Sequence, residues 1–137
     1  MSVPKGDRSE GKLEVIVKAR ELAIYTIQIT NNPRNFNPQV DSTIIEMLKR
    51  SAIQIYQDCR KANKLSLRHG MTSDYNERQM MQELAINQCE ELVGLIEIAK
   101  SLYHVSSKRI EFWVDMTYQV QTKVKAWKES DTRRFRS

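Results

Sequence analysis

Between Met81 and Leu102 the apolar residues Met81, Leu84, Ala85, Leu92, Leu95, Ile96, Ala99 and Leu102 recur at intervals dominated by three and four. That is the period of an α-helix with one face turned to a core. The same spacing returns three more times. Lys12 to Thr30 carries Leu13, Ile16, Val17, Ala23, Ile24 and Ile27, with a second set, Val15, Ala19, Leu22 and Ile29, beside it. Ile45, Leu48, Ala52, Ile55, Tyr56 and Cys59 line a further stretch, and Ile110, Trp113, Val114, Thr117, Val120, Val124 and Trp127 line the last. One apolar stripe suffices for a helix in a small bundle, so the width on the first helix predicts a second buried face. Val15, Ala19, Leu22 and Ile29 are therefore assigned to contact with another subunit.

Only four glycines and three prolines interrupt the 137 residues, so turns are few and helices long. NNPRNFNP ends the first helix, because proline lacks a donor and disfavours helical geometry in the residue before it. Asp41 or Ser42 can cap the second helix, with Glu46 in its first turn, and that helix runs out near Asn63 to Leu65. Asp74 with Glu77 resembles a capping box for the third, and Ser106 or Ser107 caps the fourth. Gly94 lies inside the third helix, where glycine costs about 1 kcal/mol against alanine, so it is expected to mark a close helix crossing. The pattern predicts an all-α fold: an antiparallel up-down-up-down four-helix bundle in a single domain over 1–137, with flexible ends at about 1–11 and 130–137.

That order brings the start of the first helix, the end of the second, the start of the third and the end of the fourth to one pole. Lys5, Arg8, Lys12, Arg60, Lys61, Lys64, Arg68, Arg78, Lys123, Lys125, Lys128, Arg133, Arg134 and Arg136 gather there. Asp7, Glu10, Glu14, Asp58, Asp74, Glu77, Glu129 and Asp131 oppose them. The whole chain carries +5, so this pole holds the excess charge. Basic residues near helix carboxyl ends also favour the helix dipole, by about 0.3–1 kcal/mol each. The dipole accounts for Arg60, Lys61, Lys64, Lys125 and Lys128. It leaves out Arg133, Arg134 and Arg136, which the pattern places beyond the helix. A composite basic end suits phosphate contact, while solubility alone is the other reading of a basic terminus. The candidate nucleic-acid-binding residues are Arg60, Lys61, Lys64, Arg68, Arg78, Lys123, Lys125, Lys128, Arg133, Arg134 and Arg136.

Catalytic chemistry finds no foothold. His69 and His104 belong to no Glu-x-x-His pair, the spacing that sets metal ligands on one helix face, so no metal or cofactor is expected. Cys59 and Cys89 lack CxxC spacing and fall on or beside apolar faces, as small packed residues do. Trp127 and Phe135 lie near the basic end, where a ring can stack on a base, although packing is the commoner use. No apolar signal segment precedes Lys5, and the apolar runs fall far short of the roughly 20 residues that cross a bilayer. A reduced, cytoplasmic protein is expected.

The stretch KLEVIVKARELA, with Leu13, Val15, Lys18, Ala19, Glu21 and Leu22, resembles the first helix shared by two groups of small proteins. One is encoded in intervening sequences of large-subunit ribosomal RNA genes; the other is the accessory variability determinant (Avd) family of diversity-generating retroelements. AIQIYQDCRKAN, with Ile55, Tyr56, Ala62 and Asn63, and VKAWKES, with Trp127 and Ser130, resemble the Avd branch. The likeness implies a four-helix bundle assembled as a homopentameric barrel. It further implies a non-enzymatic protein that binds a reverse transcriptase and its template RNA, with DNA as a second option, and supports error-prone complementary DNA synthesis. The alternative is an intervening-sequence-type homo-oligomer, structural or RNA-associated, without a reverse transcriptase partner.

Overall fold

In the computed structural model, residues 5–67 and 70–136 are described, with side chains over 14–67 and 70–135. The described residues form four helices, α1 (Lys5–Thr30), α2 (Thr43–Lys64), α3 (Thr72–Leu102) and α4 (Ser107–Arg136), and no strand. Each helix has two principal neighbours. α1 and α3 both pack on α2 and on α4, which closes a four-helix bundle around one core. No described helix is long and apolar enough to cross a membrane.

The core follows from the spacing. Ile45, Leu48, Ala52, Ile55, Cys59 and Ala62 of α2 are buried, and they face Ala85, Cys89, Leu92, Ile96 and Ala99 of α3 in the same apolar cluster. Removing each such leucine or isoleucine from water contributes about 1.5–3 kcal/mol. The alanines let the two backbones approach.

On α1 the set assigned to another subunit turns inward instead, and Ala23 of the other set is buried with it. Val15, Ala19, Leu22 and Ile29 are at most 6% exposed and form part of the chain's own core, so they are not the surface offered to another subunit. With Thr26 they follow a spacing of four, three, four and three, which holds one line toward α2 and α4. Ile16, Val17 and Ile27 lie half-buried at its edges, while Ile24 is exposed. Gly94 is corrected as well. It is exposed, and a Cβ built on it would meet nothing within 4 Å, so no helix of the same chain crosses there.

The helix ends show their local causes. Asp41 Oδ1 accepts from the amides of Thr43, at 2.6 Å, and Ile44, which caps α2. Ser106 Oγ accepts from the Arg109 amide at the start of α4. α3 begins three residues earlier than the capping box requires, at Thr72, so Asp74 lies inside its first turn; the side chain of its cap residue, Met71, makes no cap hydrogen bond. Gly70 has φ +86, a left-handed conformation that favours glycine.

Two segments carry more structure than their sequence suggests. In the 31–42 connection Phe36 is 1% exposed, with its ring 4.7 Å from Tyr103 and 6.0 Å from Trp113. It closes one end of the core. At the other end α4 does not stop near Ser130 but continues to Arg136, and α1 starts at Lys5, so helix covers much of the segments expected to be flexible.

Candidate nucleic-acid interface

The end of α2, the start of α3 and the end of α4 meet around one buried arginine. Arg78 Nε and Nη2 donate to Asp131 Oδ2 and Oδ1 at 2.7 and 3.1 Å, a two-pronged ion pair between α3 and α4. Its Nη1 donates to the carbonyl of Leu65, just past the end of α2, at 2.9 Å. Gln82 Nε2 adds a third donor to Asp131 at 2.7 Å. The guanidinium lies 5.1 Å from the Trp127 ring centre. Arg78 is 2% exposed and Asp131 is fully buried, so Arg78 cannot touch a nucleic acid and leaves the set of candidate contacts. A buried pair of this kind is costly to break from one side, about 3–5 kcal/mol, because the remaining charge is stranded.

Around that buried knot several basic side chains are exposed. Arg60, Lys61 and Lys64 are exposed on the last turns of α2, with the Arg60 guanidinium 5.7 Å from the centre of the Tyr56 ring. Burial holds the nearby Asp58 carboxyl above its ordinary 3.8, against the downward pull of the Gln54 hydrogen bond and of Lys61. Arg133 and Arg134 are exposed on the last turns of α4. Three basic side chains, Arg133 among them, pair with acid. Lys123 pairs with Glu14 at 2.8 Å, Lys128 with Glu83 at 3.0 Å, and Arg133 with Glu129 at 3.2 Å. Lys123 also holds the Glu14 carboxyl below its usual 4.5. Lys125 and Lys128 flank a shallow groove between α3 and α4 that Glu83 and Glu129 share, so this groove is closer to neutral than basic. Arg68 and His69, the side chains of Lys5, Arg8 and Lys12, and the side chain of Arg136 lie outside the described residues.

The aromatic residues near this end are engaged in packing. Trp127 is 7% exposed, and Phe135 stacks face to face on Tyr75 at 3.9 Å between ring centres and 5° between planes. The described residues hold no group of three or more His, Cys, Asp or Glu arranged to bind a metal. Cys59 and Cys89 are free and buried, and burial pushes both thiols up to about 12. They are packed thiols rather than nucleophiles.

The Arg78, Gln82 and Asp131 network is the part of this end that linear reading misses. Its partners stand 53 and 49 residues apart, and a charged residue on a helix carries no mark of burial.

No family model and no curated protein matches this sequence. In fold the chain is similar to the crystal structure of a protein of unknown function from the S23 ribosomal protein family of Bacteroides thetaiotaomicron. The TM-score is 0.73 at 13% identity, over 87% of this chain and 98% of that one. At that identity the likeness is one of four-helix fold alone.

Proposed function

We propose that this chain is a non-enzymatic accessory protein that binds RNA electrostatically through the basic end and associates with a reverse transcriptase of a diversity-generating retroelement. The observation that carries the RNA-binding part is the convergence of Arg60, Lys61 and Lys64 with Arg133 and Arg134 on either side of the Arg78 bridge. Five exposed cations at one end of a bundle offer a phosphate backbone several contacts at once. The retroelement part rests on the resemblance of KLEVIVKARELA, AIQIYQDCRKAN and VKAWKES to Avd proteins. Pairs such as Lys49 with Asn31, Ser51 with Gln88 and Lys123 with Glu14 support the up-down-up-down order that the sequence pattern predicts.

The protein acts as a closed homo-oligomer, a pentamer on the same resemblance. Its support has moved from the inner face of α1 to the outer face of α3. Met80, Leu84, Gly94, Ile98 and Leu102 lie within about 40° of one line along that helix, with the exposed Asn87 and Glu91 between its two apolar ends. The four apolar side chains are 44–54% exposed, and the glycine among them leaves room for a close neighbour. Exposed apolar surface in such a row marks an association face.

The second reading is a homo-oligomeric bundle of the ribosomal RNA intervening-sequence type, structural or RNA-associated, with no reverse transcriptase partner. The S23 ribosomal protein family of the structural neighbour favours it. Gene neighbourhood separates the two: a reverse transcriptase gene with paired variable and template repeats beside this one supports the first, and their absence supports the second. RNA binding itself is tested by titrating a structured RNA across a salt series. Arg60→Ala/Lys61→Ala/Lys64→Ala and Arg133→Ala/Arg134→Ala variants should each bind more weakly with a shallower salt slope. An unchanged slope in both variants rejects the basic end as the binding surface.

A further inference from the structure

We infer that Arg78 is a positioning residue: it locks the basic end of α2 to the basic end of α4 so that both present their cations to one polyanion in fixed register. This rests on the RNA-binding reading above and names the element that organises that site. The geometry is specific to arginine. Two of its nitrogens hold Asp131 of α4, and the third reaches the Leu65 carbonyl, an acceptor beyond the reach of α2's own ladder of helix bonds. A lysine has one ammonium, which cannot span both partners in this way.

Stability alone gives a poor account of the arrangement. Apolar residues of similar volume often serve as well as a buried ion pair or better, so the pair by itself is weak evidence of a stabilising role. What it supplies is a link among three helix ends. The rest of the contact extends that link along α4. Gln79 Nε2 donates to the Lys128 carbonyl at 3.3 Å, and Tyr75 lies face to face on Phe135. The first turns of α3 therefore grip the last turns of α4, while Arg133 and Arg134 stay exposed. The last arginines stand on a docked helix rather than on a loose tail. Binding then avoids the entropy of ordering them.

The test compares Arg78→Lys with the wild-type chain, each with and without Arg133→Ala/Arg134→Ala, in binding to one structured RNA hairpin at fixed salt. Arg78→Lys should weaken binding on the order of tenfold in the wild-type background. Once Arg133 and Arg134 are alanine, no second cluster remains to hold in register, and the same change should cost less than about twofold. Equal losses in both backgrounds, or no loss in the wild-type background, overturn the inference. Hydrogen exchange supplies a readout independent of RNA. The amides of Leu65 to Leu67 and of Glu129 to Phe135 should exchange faster in Arg78→Lys while the middle of α2 stays protected. Unchanged exchange at those amides overturns the lock even if the wild-type protein binds no RNA, an outcome that would reject the RNA-binding reading separately. If Arg78→Lys does not fold, Arg78→Met/Asp131→Leu, which strands no charge, enters the same comparison with the same criteria.

Discussion

The indole Nε1–H of Trp113 donates to Thr26 Oγ1 at 3.0 Å, joining α4 to α1 across 87 residues of sequence. Both residues are fully buried, and the Thr26 hydroxyl in turn donates to the Leu22 carbonyl at 2.8 Å. Thr26→Val keeps the shape but leaves the indole donor without an acceptor in a dry core. Unfolding in urea should show a loss of about 1–3 kcal/mol. Thr26→Ser should lose less than Thr26→Val. Equal stability of wild type and Thr26→Val would mean that the indole finds another acceptor.

Cys59 and Cys89 should resist thiol reagents in the folded protein. Burial holds both thiols at about 12, so the reactive thiolate at pH 8 is scarce as well as enclosed. Labelling should run on the order of 10³-fold slower than for a free cysteine of pKa near 8.5, and should reach full speed in denaturant. Labelling of either thiol at the unfolded rate under native conditions contradicts this packing.

Asp58 is buried near the end of α2, accepts from Gln54 Nε2 at 2.8 Å, and titrates above its ordinary 3.8 chiefly because of burial. The folded state therefore holds this proton more tightly than the unfolded chain. Its contribution is most favourable below the unfolded value and is lost as pH rises through the raised folded value. Asp58→Asn, which keeps an acceptor for Gln54, should stabilise the protein at pH 7, where the buried carboxyl is charged. The gain should shrink as pH falls toward 4 and below, as thermal melts across pH would record.

Gly94 offers two opposite outcomes at one position. A Cβ there meets nothing within 4 Å in the chain itself, so Gly94→Ala should gain up to about 1 kcal/mol of helix propensity in the isolated bundle. Gly94→Arg should leave that bundle folded but reduce the assembly seen by light scattering, since the side chain projects into the proposed contact between copies. A wild-type monomer at micromolar concentration removes the association face altogether.

The four helices were legible because each repeats its apolar residues at three and four, and that period admits little else. Asp41 and Ser106 were legible as caps because an oxygen one or two residues before a helix has amides within reach. Two broad stripes on one helix, however, do not say which of them faces inward. On α1 that depended on where α2 and α4 lie, and the stripe of Val15, Ala19, Leu22 and Ile29 took the core. Phe36 looked like part of a loop broken by prolines, and only the proximity of Tyr103 and Trp113 made it a core residue. Charge behaved the same way. Sequence by itself determined that basic residues collect toward certain helix ends, since position along a helix is local. Tertiary structure alone decided that Arg78 is spent inside, held by an aspartate 53 residues away, while Arg60, Lys61 and Lys64 remain in solvent. Burial is a property of what surrounds a side chain, and those surroundings come from helices far away in the sequence.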